Sequence, residues 1–543
     1  MSLFTLFSSP SVAFDVAQLP QPWNAERVAI YDFLKKNINS EIPNLLEEGG
    51  ELPDDEEFYA NEDIRWVAGG LDGAFGRHGG KNEQQKTAKE IFAALEKVVK
   101  NPTEENVSSF YKYLKDNSAI DFLDELLPLI AKTKSLDDER VQKFAKWLAE
   151  SAPDREPVKA AIAILGIFPG EKNKELFTIL GRHEEFTLYS AVAFNHSLEN
   201  PEAELWDLAK HVNGWGKIQV VERLAETQNK DIKHWMLRDG YKNSIMYEYL
   251  AFICATTGGL LSELESPDPD ESLLLGAGDI IKALTAGGPA EDMDDYVDGA
   301  KVTQLYLGHI ADKTLNFEQF LVVKAIRDFA QDDGVNWADR EDKGWTKNLR
   351  KEIAEKASTI LSNPDWIERV VTALNDEVDS QEYAPFHTIA LVAETLGIDT
   401  WDYYYTRQKS GYSDEWYYLM QTKDEKRIDK VIALAEQTIP LDQVATGPAQ
   451  EMGMGPEFKH HSALDFILQD LRRFPGKGWK LVKSGLRSPV IRNRNMSLMA
   501  LSNWGRENWP DDAENILQEA LKNEPDGDVK VTIQKVLNEE PID

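Results

Sequence analysis

Apolar residues recur along this chain in steps of three and four. Val107, Phe110, Tyr111 and Leu114 form one stripe, Leu205, Leu208, Ala209 and Val212 a second, and Ile367, Val370, Val371 and Leu374 a third. The spacing i, i+3, i+4, i+7 puts four side chains on one face of an α-helix and leaves the other faces to water. Each stripe follows an Asn-Pro pair: Asn101-Pro102, Asn200-Pro201 and Asn363-Pro364. There the amide side chain caps the first turn, and proline fills the first helical position, where its missing N–H costs nothing. Similar stripes, on helices of about 12 to 18 residues joined by short Gly, Pro or Asp turns, recur from about residue 83 to residue 538. Alternating β-branched runs are scarce, and no Asn-Gly or Asp-Gly turn sits between two of them. The pattern predicts an all-α protein. A helix pair with a single apolar face buries it only against further pairs, so the predicted architecture is a right-handed α-solenoid of stacked antiparallel helix pairs.

Composition narrows the classes. The hydrophobic share of 42% and the 14 tryptophans supply a packed interior, unlike a disordered chain. A formal charge of −34 disfavours a nucleic acid as main partner, because affinity for phosphates comes from Lys and Arg; a basic protein or peptide fits better. Cys254 is the single cysteine, so no internal disulfide forms and a cytoplasmic location is expected. The start of the chain lacks a positive segment before its apolar bursts, and the longest apolar run, Ala160 to Phe168, falls far short of the roughly 20 residues that span a bilayer. Neither export nor membrane insertion is expected.

Asp154-Arg155-Glu156-Pro157-Val158-Lys159, followed by Ala160 to Gly166, resembles the second helix of a HEAT repeat, with its acidic start, Val-Lys step and Ala/Leu-rich face. Val490-Ile491-Arg492 running on to Ala500-Leu501 is similar, and Val220 to Ala225 leading to Asp231 to Arg238 reads like adjacent helices of such a repeat. The resemblance implies a HEAT/armadillo-like binding scaffold; long acidic inserts and bulky aromatics depart from a regular array. The whole chain also resembles bacterial helical-repeat proteins, some of which carry a limonene hydroxylase label, and this implies a monoterpene-oxidising oxidoreductase as an alternative.

Three regions are expected: an acidic helical cap with a Gly-rich loop (1–82), a first half of the repeats (83–265) and a second half with a basic C-terminal segment (266–543). The first sixty residues hold 11 acids against three basic residues, and Glu47 to Glu57 reads as a solvated loop. The acidic segment Glu263 to Glu271 is the candidate bend between halves. Residues 69–80, rich in glycine, read first as a loop letting helix layers approach and second as a ligand loop; Lys81 is followed by Asn82, so no phosphate loop is formed. No dinucleotide fingerprint or nucleophile elbow appears, and of the two Glu-x-x-His motifs a di-iron site requires only Glu457-Phe458-Lys459-His460 is present. No cofactor is expected. Glu457, His461 and Asp465, one helical turn apart, are weak metal-ligand candidates, the preferred reading being a charge-paired helix start.

Two anomalies remain. Residues 459–494 carry nine basic residues, Lys459, Arg472, Arg473, Lys477, Lys480, Lys483, Arg487, Arg492 and Arg494, against Asp465 and Asp470. They read as a solvated face or a ladder pairing with acids of neighbouring helices, with a patch for an acidic partner as the functional alternative. Trp401, Tyr404, Tyr405, Tyr412, Trp416 and Tyr417 crowd two short helices; packing explains most of them, and a partner-binding groove is the functional reading. The function expected from the sequence is a scaffold for a basic protein or peptide. The alternatives are the oxidoreductase above and an acidic immunity or mimic protein; a small-molecule ligand stays open.

Overall fold

A computed structural model describes residues 14–39, 44–60, 65–73, 84–378, 383–411 and 414–542. The first helices are α1 (Ile30–Lys36), α2 (Asp55–Phe58), α3 (Gln84–Lys100), α4 (Glu104–Lys115), α5 (Ala119–Lys132), α6 (Asp138–Ser151), α7 (Arg155–Gly166), α8 (Lys174–Gly181), α9 (Glu184–Ser197), α10 (Glu202–Ala209) and α11 (Gly214–Glu222). There follow α12 (Lys230–Trp235), α13 (Glu248–Gly258), α14 (Leu260–Leu264), α15 (Glu271–Ala286), α16 (Gly299–Ile310), α17 (Phe317–Gln331), α18 (Trp337–Glu341), α19 (Lys347–Leu361), α20 (Asp365–Glu377) and α21 (Tyr383–Thr395). The last are α22 (Trp401–Ser410), α23 (Trp416–Met420), α24 (Glu425–Thr438), α25 (Leu441–Val444), α26 (Lys459–Leu471), α27 (Trp479–Gly485), α28 (Ile491–Trp504), α29 (Ala513–Asn523) and α30 (Gly527–Leu537). The protein is all-α: among the described residues there is no strand, only an isolated bridge between Glu451 and Val490. No helix among them is long and apolar enough to cross a membrane.

Helix boundaries follow local chemistry. At Asn101-Pro102 the cap moves two residues on, to Thr103, whose hydroxyl accepts the Asn106 N–H at 3.3 Å. At Asn363-Pro364 the expected device operates, Asn363 Oδ1 accepting the Asp365 N–H at 3.0 Å. The first two stripes are buried as read. In the third, Ile367 is exposed and the buried face is Trp366, Val370 and Leu374; Trp366 packs its ring edge-on to Phe320 at 4.9 Å, and that large apolar surface turns the helix by one position.

The chain divides into two compact units, Met1–Leu315 with Val322–Ile360, and Asn316–Leu321 with Leu361–Asp543. In the first, α3, α5, α7, α9, α11, α13 and α15 form a row in which each helix packs on the next but one, while α4 and α6 flank α7, α8 flanks α9 and α10 flanks α11. Glu263 to Glu271 lies inside this unit, where Asp270 caps α15 through the Leu273 N–H at 2.8 Å and pairs with Arg238 at 2.5 Å. In the second, α26, α28 and α30 form a similar row, with α27 on α28 and α23 on both α24 and α26.

Candidate functional site

A helix buried on all sides is ordinarily apolar all round. α7 is enclosed by α4, α5, α6 and α9, and every residue from Arg155 to Gly166 is buried. Its first turns nevertheless carry Arg155, Glu156 and Lys159. Charges removed from water must be paired, and the partners come from α9 and from Asp54, Asp55 and Asp72, which lie against the start of α7.

Arg155 donates to both carboxylate oxygens of Asp54, from Nη2 at 3.0 Å and Nε at 3.2 Å, and also contacts Asp55. Its guanidinium lies 4.0 Å from the centre of the Phe58 ring. The Arg155 backbone N–H donates to Asp54 Oδ2 at 2.8 Å, so Asp54 also caps α7 and sets a negative charge on the positive end of its dipole. The Lys159 ammonium is surrounded by Asp72 Oδ2 at 2.8 Å and by Glu156 Oε1 and Glu185 Oε2, each at 2.9 Å. All three of its protons have an acceptor. The carboxylates are held in turn: Glu185 by the Gly69 N–H at 3.1 Å, Glu156 by the Ala119 N–H at 2.5 Å and Asp72 by the Tyr189 hydroxyl at 3.0 Å. Asp154 accepts from the Tyr111 hydroxyl, from Arg27 at 2.8 Å and from Lys115 at 3.1 Å.

Burial alone would lower the Lys159 pKa, but Glu156, Glu185 and Asp72 hold it well above its ordinary value. Burial would raise Glu185; Lys159 and Arg155 override this and hold it at about 2. Glu156 stays above its ordinary value because burial outweighs Lys159. Burial lowers His183, whose Nδ1 accepts the Glu185 N–H at 3.2 Å while Nε2–H donates to the Gly50 carbonyl at 3.3 Å.

Glycines let the layers meet. Gly69, at φ +67°, lies against the Glu184 carbonyl, and Gly73 lies under the Trp215 ring, where a Cβ would be 2.6 Å from ring carbon. Gly69 and Gly73 therefore allow the close approach, but residues 70–73 are helical where a loop was expected; residues 74–80 lie outside the described residues. The solvated-loop reading of Glu47 to Glu57 is corrected at Asp54 and Asp55, which are drawn in by Arg155; Glu47, Glu48, Glu51, Glu56 and Glu57 remain exposed.

Clefts open on either side of this network. One, of about 270 Å³, lies between Glu57, Phe58, Lys115, Asp116 and the start of α7. The other, of about 240 Å³, lies beside Arg182, Glu184 and His211. Burial pushes Glu184 up to about 7 from an ordinary 4.5, with the Glu185 charge adding to it and backbone N–H groups of Asn213 and Trp215 offsetting part. A carboxyl protonated more readily in the folded chain costs stability as pH rises, from about 4.5 to about 7, and by a constant amount above. Glu184→Gln is expected to stabilise the protein by on the order of 1–2 kcal/mol near pH 8 and negligibly near pH 4. Chemical denaturation at the two pH values checks this; equal effects at both contradict it.

The aromatic candidates are largely core. Trp401 is buried, donates from Nε1 to the Leu419 carbonyl at 2.9 Å and stacks on Tyr405 at 5.1 Å. Tyr404 is buried against Tyr418, rings parallel at 4.6 Å, and Trp416 is buried too. Trp401, Tyr404 and Trp416 are thus corrected from surface anchors to packing residues. Tyr405 is half-buried, and Tyr412 lies outside the described residues. Tyr417 is 45% exposed and meets the exposed Phe466 edge-on at 6.1 Å. The sequence reading missed the charges packed beneath these rings: Arg407 and Glu415, both fully buried and paired at 3.0 Å, with His387 3.1 Å from Glu415. Arg407 at i+3 from Tyr404 on a buried helix face was the available signal.

The basic residues form mostly a ladder. Arg494 is corrected outright: it is 1% exposed, forks onto Glu524 with two bonds of 2.9 Å and donates to the carbonyls of Ser488, Pro489 and Ala449. Arg473 pairs with Asp470 at 3.0 Å, Lys477 with Asp429 at 2.6 Å, Lys480 with Glu436 at 3.8 Å, Lys483 with Asp512 at 2.9 Å and Arg492 with Asp465 at 3.2 Å. Arg472 and Arg487 are exposed, Arg472 touching Met499 Sδ at 3.4 Å.

Among the described residues, no group of three or more His, Cys, Asp or Glu side chains is placed to hold a metal ion. Of the three weak candidates, His461 Nδ1 is taken by Ser488 at 3.0 Å and Asn493 at 3.1 Å, Asp465 by Asn493 at 2.7 Å and by Arg492, and Glu457 sits in a separate 3-10 turn. Burial pushes the Cys254 thiol up to about 12, so it is a thiol at neutral pH. Comparison with known protein-family models and with curated proteins finds no match to this chain.

Proposed function

We propose that the chain is an α-solenoid of HEAT-like helix pairs that binds a basic protein or peptide segment through its acidic surface. The observation that carries this reading is the use of the cations. Most of those in the one basic segment are consumed by carboxylates of neighbouring helices, and the net charge of −34 is left on surface acids. Such a surface concentrates and steers cationic partners. Next-but-one packing of the helices in each row supports the solenoid, since stacked pairs meet in that order. Tyr417 and Phe466 supply an accessible aromatic contact beside the ladder.

Fluorescence anisotropy with a labelled arginine- and lysine-rich peptide, against an acidic peptide of equal length, tests the proposal. The basic peptide is expected to bind at low salt and to lose about tenfold or more in affinity when salt screens the surface. Equal affinity for the two peptides would overturn the reading.

A further inference from the structure

The 240 Å³ cleft is built where residues 44–50 and Ala68 pass over the turns before α9 and α11. Its wall is mostly apolar, with Leu45, Leu46 and Val212, and carries the polar side chains of Glu47, Arg182, Glu184 and His211. Arg182 is half-buried, yet its guanidinium makes no hydrogen bond or ion pair among the described residues. That is unusual on a chain with 94 acids against 60 Lys and Arg, where a guanidinium placed next to carboxylates ordinarily forks onto one. His211 Nδ1 lies 2.6 Å from the Asp207 carbonyl; the bond requires Nδ1–H, which leaves Nε2 as the second polar atom of the ring. Gly214, at φ +53°, admits the Glu184 carboxyl where any Cβ would overlap it, so that carboxyl is fixed at the edge of the cleft.

We infer that this cleft binds a small monocarboxylate, its carboxylate forked on the Arg182 guanidinium and its apolar part resting on Leu45, Leu46 and Val212. A planar fork selects a carboxylate, and the Glu47 and Glu184 carboxyls at the rim repel a dianion such as phosphate. The volume sits at the small end of ligand cavities, which excludes a large ligand. Glu184, titrating near 7, donates a hydrogen bond when protonated and repels when ionised, so binding tightens as pH falls. The titratable groups that line the cleft with it are Glu47, Arg182, His183 and His211, and the charge of Glu185 acts on it from the next position of α9.

Isothermal titration of the full chain with acetate, butyrate, hexanoate, phenylacetate and the neutral phenylacetamide tests the inference. Hexanoate or phenylacetate is expected to saturate the protein and to bind more tightly than acetate. Phenylacetamide should not bind. Arg182→Gln should weaken binding about tenfold or more, Arg182→Lys should weaken it less, and Glu184→Gln should flatten the pH dependence that remains in the parent chain. Thermal melts of these variants establish that they are folded. Absence of saturable binding by every acid, equal binding of the amide, or affinity unchanged by Arg182→Gln would each overturn it.

Discussion

Lys159→Met is expected to destabilise the first unit by about 3–5 kcal/mol, the cost of breaking a buried ion group by removing one partner. The methionine fills the space of the lysine stem, so little of the loss comes from a cavity. The loss arises because Asp72, Glu156 and Glu185, now buried side by side at the end of α7, keep three carboxylates without the ammonium that each approaches within 2.9 Å. Urea denaturation followed by a probe in the first unit measures the change. Adding Asp72→Asn and Glu156→Gln to Lys159→Met should restore part of the stability, because the variants repair one electrostatic fault and are strongly non-additive. A loss below about 1 kcal/mol would place Lys159 in water.

Arg494→Met is expected to cost the second unit a similar amount, about 3–5 kcal/mol. It removes the guanidinium from Glu524, itself buried, and strands the backbone carbonyls of Ala449 and Ser488, while the Pro489 carbonyl keeps the Glu451 N–H at 3.3 Å. Since Ala449 and Ser488 belong to two separate loops, exchange of the Ile491 amide, bonded to the Glu451 carbonyl at 3.1 Å, should quicken in the same variant. Glu524→Gln, which keeps an acceptor for the guanidinium, should cost less. A second-unit transition unchanged by Arg494→Met would contradict the buried pairing.

The helices were readable because their signal is local. A stripe such as Val107, Phe110, Tyr111 and Leu114 needs no knowledge of its partner, and all four are buried. Charges were harder, because a charged residue looks the same in sequence whether it faces water or a counter-ion. Asp54 and Asp55 sit in an acidic run that composition assigns to solvent, and their partner Arg155 is a hundred residues away. One clue was present: Ala160 to Leu165 has no polar face, so α7 had to be enclosed, and Arg155, Glu156 and Lys159 are too near that run to escape. In the basic segment the ladder was the first explanation offered, and Arg494 pairs with Glu524 as a ladder residue does; its burial was not legible, since charge counting carries no information about burial. For the aromatic stretch packing was likewise the first explanation offered, but which tyrosine stays outside depends on α26 supplying Phe466, a tertiary fact.

Native-state hydrogen exchange of the full chain tests most directly whether Asp54, Asp55 and Asp72 clamp their segments to α7 as buried ions. The amides of Phe58 and Tyr59, bonded within α2 at 2.8 and 3.0 Å, and that of Arg155, bonded to Asp54, should exchange with free energies close to those of the α7 interior and fall with them in Lys159→Met. Exchange of Phe58 and Tyr59 at the rate of an exposed loop, with α7 still protected, would contradict the account.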